Sequence, residues 1–261
     1  MNLGLQGKKA LVGGASRGLG LAAATALAAE GCEVAIVSRS AENLREALRS
    51  FGPGARVTPV VADLSTSEGV GRCCAAADAW GPVDVLVNNT GGPPAGRTFE
   101  HDENAWRAAY ESLLLYVKRM CDHFVPPMRA RRWGRVITLT SVTVKEPADH
   151  LVLSNIFRSG VTAYLKVLAR EVAPDGITVN SVLPGAYRTA RYEQLLDGMA
   201  ARSGKDRESA ARDVIARLPQ QRFQKPEELG ALVAFLASEQ ASAITGAAIP
   251  ADGGMLHGLL G

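Results

Sequence analysis

Short apolar runs alternate along this chain with longer segments in which apolar residues recur at helical spacing. Lys9–Val12, Glu33–Ser38, Val57–Val61 and Val83–Val87 predict the first four strands. Val136–Leu139, Ile177–Leu183 and Ala247–Pro250 predict three more. Helices are predicted over Leu19–Glu30, which Gly31 would cap, over Ala41–Phe51, which Gly52 and Pro53 would close, and from the third strand's exit through Ala79. His101–Cys121, Ser159–Ala173 (stopped by Pro174 and Gly176) and Glu227–Ala237 complete the helical set. The fourth strand is nearly all apolar, as a strand covered on both faces must be. Such alternation implies βαβ units, and right-handed crossovers then put helices on both faces of a parallel sheet. The expected class is therefore α/β, with a doubly wound parallel sheet of about seven strands. Ala186–Gln224 breaks the alternation. It is polar and helix-prone, and it is expected to form a lid over a pocket at the strand ends.

Composition narrows the function classes. The 261 residues are 47% hydrophobic and 21% charged, an ordinary globular balance. No linker, repeat or low-complexity segment divides them, so one domain over 1–261 is expected. A net charge of +3 gives no reason to expect a nucleic-acid or membrane partner. The densest basic cluster centres on Arg131 and Arg132 and reads as a solvated turn. The N-terminal residues lack a basic start followed by a long apolar run, so no signal peptide is expected and a cytoplasmic location is. Cys32, Cys73, Cys74 and Cys121 lack metal-type spacing and read as small buried hydrophobes in a reducing compartment. His101, His123, His150 and His257 are scattered, so no metal site is expected.

The candidate chemistry begins at the loop Gly13-Gly14-Ala15-Ser16-Arg17-Gly18-Leu19-Gly20, between the first strand and the first helix. Glycine allows a tight turn and close backbone approach to a pyrophosphate, and the helix N-terminus offers free N–H groups and a positive dipole. In that position the loop points to dinucleotide binding. An NAD site usually has an acidic residue at the end of the second strand. Here that place holds Ser38 and Arg39, and Arg17 lies in the loop itself. Two guanidinium groups near one ribose suit a 2′-phosphate, which favours NADP(H) over NAD(H). The competing reading is two solvated surface arginines.

These residues, and others in order behind them, closely resemble the short-chain dehydrogenase/reductase family, and its 3-oxoacyl-carrier-protein reductase branch in particular. Gly14–Gly20 resembles the family's glycine motif, with Gly13 where Thr is usual. Asp63-Leu64 looks like the pair that contacts adenine, and Asn88-Asn89-Thr90-Gly91 is similar to the motif after the fourth strand. Asn180 and Pro184-Gly185 match the segment beside the nicotinamide. Pro226-Glu227-Glu228, Phe235-Leu236-Ala237-Ser238, Thr245-Gly246 and Asp252-Gly253-Gly254 match the C-terminal signature. The resemblance implies a single-domain Rossmann fold. It also implies a small-molecule substrate, and a homotetramer or homodimer built through the fourth and fifth helices and the last strand.

The resemblance breaks at the reacting groups. Family members carry an Asn-Ser-Tyr-Lys tetrad. Ser141 matches the serine, but the tyrosine place holds Ser154 and the lysine place Arg158. Leu168-Ala169-Arg170-Glu171 supports this register downstream. The asparagine place falls on Leu113, with Ser112 adjacent if the register slips by one. A serine hydroxyl is a far weaker acid than a tyrosine beside a lysine. Arg158 keeps its charge and can hold the nicotinamide ribose, but it cannot relay a proton. Leu113 removes a polar group that could anchor a relay water. Candidate donors are Ser141 and Ser154 passing a proton from water, Tyr187 after Gly185, and His150 with Asp149. The plainer reading is that Tyr187 packs under the lid and His150 is a solvated loop residue. Arg188, Arg191 and Arg202 in the lid are either contacts for an anionic substrate tail or, the plainer reading, surface arginines.

Three functions compete. The first is an NADP(H)-dependent reductase or dehydrogenase acting on a carbonyl/alcohol pair, including 3-oxoacyl or polyketide-like substrates by resemblance. The second is a redox-neutral enzyme (lyase, isomerase or cyclase) on the same fold. The third is a non-catalytic nucleotide-binding protein.

Overall fold

The computed structural model describes residues 2–259, so Met1 and the last two residues of the 1–261 assignment lie outside the described residues. Its strands are β1 (Lys9–Val12), β2 (Glu33–Ser38), β3 (Val57–Val61), β4 (Val85–Asn88), β5 (Gly134–Leu139), β6 (Ile177–Pro184) and β7 (Ala248–Ala251). They form one parallel sheet in the order β3-β2-β1-β4-β5-β6-β7. Side chains alternate across it. Leu11 of β1 packs with Val70, Cys73 and Phe124, whereas its neighbours Ala10 and Val12 pack on the opposite face with Ala23, Leu27 and Val233.

Helices α1 (Gly18–Ala29), α2 (Ala41–Leu48) and α9 (Pro226–Ala237) belong to that opposite face. A side chain on Gly230 would meet the Ala22 carbonyl at 2.5 Å. Alanines on α1 and a glycine on α9 thus let the two helices lie backbone to backbone. The first face is covered by α3 (Ser67–Trp80), α5 (Tyr116–Arg131) and α6 (Val152–Val172). All four cysteines are free and buried. No helix among the described residues is long and apolar enough to cross a membrane.

Most boundaries shift by one to three residues, and three departures from the sequence reading are larger. The segment predicted as His101–Cys121 is α4 (Glu103–Ala109), a π-helical stretch (Tyr110–Leu115) and α5, which runs on to Arg131. Phe124, Val125 and Met128 extend its buried stripe through Pro126 and Pro127. Arg131 and Arg132 therefore end a helix: Arg131 donates to the Val83 carbonyl at 2.6 Å, and Arg132 caps the helix with φ 54°. Lastly, α6 starts at Val152 rather than Ser159, because Leu151 supplies no side-chain cap that would announce a start. That earlier start places Ser154 and Arg158 one turn apart on a single helix.

The lid, Ala186–Gln224, contains α7 (Ala190–Ser203) and α8 (Arg207–Arg217). Its two ends are tied together. Arg188 N–H donates to the Gln224 carbonyl at 3.0 Å, and Gln224 N–H donates to the Ala186 carbonyl at 2.9 Å. The strand order reverses between β1 and β4, and a crevice opens there at the carboxyl ends of the strands.

Candidate active site

The glycine turn is held by the strand beside it. Asn89, just past β4, donates its Nδ2 to the carbonyls of Gly13 at 3.1 Å and Gly14 at 3.2 Å. Gly13 N–H donates to Val87 at 2.9 Å, and Ala15 N–H to Val37 at 3.0 Å. Gly14 and Gly18 have φ of 56° and 59°, and a Cβ on Gly14 or Gly20 would come within 2.7 Å of Asn89 Nδ2. The turn is therefore a cradle that side chains would fill, with Ser16 and Arg17 leading into α1 and no side chain capping that helix. Space over Gly91 is open. These residues fit a dinucleotide diphosphate.

The position usual for Thr is Gly13 because another side chain occupies the space. A Cβ there would overlap the hydroxyl of Tyr116, the first residue after the π-helical stretch. Tyr116 is a residue that sequence reasoning missed, and the unusual Gly13 was its signal. Thr189 is a second. It caps α7 through Tyr192 N–H at 3.2 Å, and its methyl lies 3.5 Å from the place of a Gly18 side chain, so the lid meets the glycine turn.

At the adenine end, Ser38 closes β2 and Arg39 is exposed just beyond it. Asp63 takes the Ser65 hydroxyl at 2.7 Å and the Ser65 N–H at 3.0 Å on one oxygen. These bonds, chiefly the hydroxyl, with Arg39 contributing, hold its carboxyl below the usual range. Leu64 is buried beneath it. Arg17 and Arg39 are both exposed, and Arg39 lies near enough to Asp63 for its charge to act on that carboxyl.

At the reacting end, Ser141 follows β5. Its Oγ accepts from Thr143 N–H at 3.1 Å and from the Thr143 hydroxyl at 3.0 Å, which leaves its own proton for the cleft. Ser154 is 8% exposed on the first turn of α6. Arg158, one turn on, donates Nη1 to the Leu139 carbonyl at 3.0 Å. Burial, reinforced by Arg191, pushes its pKa down to about 10, so it stays charged at neutral pH. Ser141, Ser154 and Arg158 thus come from two elements that meet at the end of β5. Pro184 and Gly185 flank the same end of the sheet, and Gly185 presses against Asp252 with no room for a side chain.

Leu113 is buried in the π-helical stretch. With Asn88, Tyr116, Thr138 and Arg158 it lines a cavity of about 10 Å³, about the room of one water. Asn88 Oδ1 has no hydrogen-bond partner, and the Tyr116 hydroxyl faces the Asn89 backbone without a well-formed bond. Burial pushes the Tyr116 pKa upward, so it remains a neutral hydroxyl.

Two expected participants stand elsewhere. Tyr187 is 4% exposed and packs in the core with Leu229 and Val233, in the field of Glu228 and Asp252. Burial foremost, then those carboxylates, pushes its pKa up to about 12, so it stays a neutral hydroxyl at physiological pH. Asn180 is committed to the sheet edge: it donates to Ile244 at 2.7 Å and accepts from Ala247 N–H at 3.1 Å. His150 is half-buried under the lid rather than solvated. Its carbonyl accepts from Gly96 N–H at 2.8 Å, and burial, then Arg202, lowers its pKa. Among the described residues no group of three or more His, Cys, Asp or Glu gathers as a metal site.

The frame of this site is matched over nearly the whole chain by known proteins. Residues 14–256 fit the family model described as enoyl-(acyl carrier protein) reductase. The 3-oxoacyl-(acyl-carrier-protein) reductase FabG of Salmonella typhimurium is 34% identical, over 97% of this chain and 99% of that protein. The chain belongs to the short-chain dehydrogenase/reductase family. Among solved relatives of this short-chain dehydrogenase/reductase, the L-sorbose reductase of Gluconobacter frateurii, complexed with NADPH and L-sorbose, superposes with a TM-score of 0.92. It shares 34% identity, with 99% of this chain and 100% of that one covered. The actinorhodin polyketide ketoreductase with NADPH gives a TM-score of 0.91 at 32% identity, over 95% and 97% of the two chains.

Proposed function

We propose that this protein is an NADP(H)-dependent oxidoreductase that interconverts a carbonyl and an alcohol, with serine hydroxyls where the family resemblance implies a tyrosine. The observation that carries the reading is the glycine turn clamped by Asn89, with Asn89 and Arg158 lining one cavity at the ends of β4 and β5. NADPH, when bound, supplies the hydride. Gly14, Ser16, Arg17, Gly18, Leu19 and Gly20 hold the diphosphate through backbone N–H groups and the dipole of α1. Ser38, Arg39 and Arg17 hold the 2′-phosphate, and Asp63 and Leu64 the adenine. Asn89, Gly91, Pro184 and Gly185 border the nicotinamide, and Arg158 holds its ribose. Ser141 and Ser154 donate to the substrate oxygen. Its proton comes from water, and the cavity behind Arg158 suits one such molecule, between Asn88 and Tyr116.

Relatives that reduce oxoacyl and polyketide substrates support those classes as first trials. A homodimer or homotetramer is supported by the exposed apolar Ile156 and Val167 on α6 and by a cleft of about 590 Å³ between α6 and the β6–β7 edge. The buried free cysteines support a reducing, cytoplasmic compartment. The test is calorimetric titration with NADPH and NADH, followed by nicotinamide oxidation against ketones, 3-oxoacyl thioesters and quinones. NADPH binding with turnover of one class is expected. Tight binding with no turnover of any class would transfer the site to redox-neutral or non-catalytic work.

A further inference from the structure

The lid arginines Arg188, Arg191 and Arg202 are not equivalent. Arg188 and Arg202 are exposed. Arg191 turns inward from the first turn of α7. Its Nη2 donates to the Pro93 carbonyl at 2.6 Å, and its guanidinium lies 3.0 Å from the place a Gly92 side chain would start. Arg158 approaches the cleft from the other side, anchored on Leu139. Two guanidinium groups, one from the lid on the Pro93 carbonyl and one from α6 on the Leu139 carbonyl, thus lie near enough for the charge of Arg191 to act on Arg158.

Among the described residues neither Arg158 nor Arg191 is in an ion pair. The one charged group that perturbs Arg158 is Arg191, in the direction of repulsion, and no carboxylate perturbs either group. Other arginines of the lid region are treated differently. Arg207 meets Glu193 at 2.8 Å and Asp197 at 3.1 Å, and Arg222 meets Glu228 at 2.6 Å. Each guanidinium of this pair has one hydrogen bond, to a backbone carbonyl, out of five donors. Partly buried like charges are unfavourable until an anion joins them, and the planar fork of arginine matches a carboxylate two bonds at a time.

We infer that Arg191, with Arg158 behind it, seats a carboxylate of the substrate, so that the preferred substrates are oxo acids and hydroxy acids rather than neutral ketones and alcohols. This rests on the oxidoreductase reading above. A cofactor diphosphate offers the same oxyanion chemistry, since Thr189, two residues before Arg191, adjoins the glycine turn. The experiment separates the two sources.

Pyruvate, acetoacetate and levulinate, each beside its methyl ester, are titrated calorimetrically into protein saturated with NADP+. The expected result is an acid bound about tenfold or more tighter than its own ester, the scale of one hydrogen bond to a charged group. Arg191→Gln should bring that ratio to within about twofold, and Arg191→Lys should restore part of it by keeping the charge without the fork. Circular dichroism checks that both variants fold. Two results would overturn the inference: equal binding of every acid and ester by the native protein, or an Arg191→Gln variant that loses NADPH affinity while its acid-to-ester ratio survives. The latter would give Arg191 to the diphosphate. If NADP(H) does not bind at all, the oxidoreductase reading fails by itself. The same titration on cofactor-free protein then keeps the carboxylate seat if the ratio persists and removes it if the ratio is one.

Discussion

The two halves of the cleft are built on different principles. The cofactor half, from the glycine turn to Asn89, is backbone and small residues. Each position is fixed by what a side chain would strike: Asn89 against Gly14 and Gly20, Tyr116 against Gly13. The reacting half, at the end of β5 and the start of α6, is made of side chains: Ser141, Ser154 and Arg158. A change of side chain there costs the fold little. Gly14, Gly18 and Gly20 keep the spacing that the family resemblance implies, and the departures read from the sequence fall among side chains of the reacting half. The lesson is that a binding frame made of backbone resists variation, and the chemistry mounted on it does not.

Substitutions can break or sharpen this contrast, the largest effect first. In the reacting half, Ser141→Ala removes the hydroxyl whose proton is left for the cleft. Turnover of any confirmed substrate should fall about 10²–10³-fold, as for loss of one oxyanion donor, with NADPH affinity unchanged. A fall below about tenfold would take Ser141 out of the chemistry. In the cofactor half, Gly20→Val pushes a branched side chain into the Gly14 carbonyl and Asn89. Overpacking of about 1–3 kcal/mol should weaken NADPH by about 10- to 100-fold in calorimetry, with circular dichroism unchanged. Unchanged affinity would mean that the turn does not carry the diphosphate.

Arg39→Glu tests which phosphate the adenine end holds. Loss of a charge-assisted contact should shift the NADPH-to-NADH affinity ratio by about tenfold or more toward NADH. An unmoved ratio makes Arg39 a surface residue. A smaller effect comes from His150. Its pKa in the folded protein is lowered below the usual 6.5 by burial, then by Arg202. The unfolded chain therefore takes up that proton more readily, and stability present above about pH 6.5 is lost as the pH falls through the folded pKa. The melting temperature should drop between about pH 7 and pH 5, and His150→Gln should flatten part of that drop. A drop equally steep in the variant would assign it to other groups. Least of all, Tyr187→Phe should leave turnover within about twofold, because that side chain is buried in the core with Leu229 and Val233. A loss of about tenfold or more would make it a proton donor.

The alternation of apolar runs and helical spacing was enough to give the seven strands, their parallel pairing and the position of the glycine turn, because covered strands and glycine turns leave local signatures. The spacing of Ser154 and Arg158 was legible too, and since both fall on α6 it sets them one helical turn apart. What tertiary structure alone decided depends on atoms far apart in the chain. Tyr187 lies two residues past Gly185, yet α9 draws it into the core. Tyr116 fills the space beside Gly13 from more than a hundred residues away, and Arg191 turns inward onto the Pro93 carbonyl while Arg188 and Arg202 stay exposed. Sequence spacing fixes which backbone a residue sits on. Which neighbours its side chain meets is set by how the helices and the lid close over the sheet.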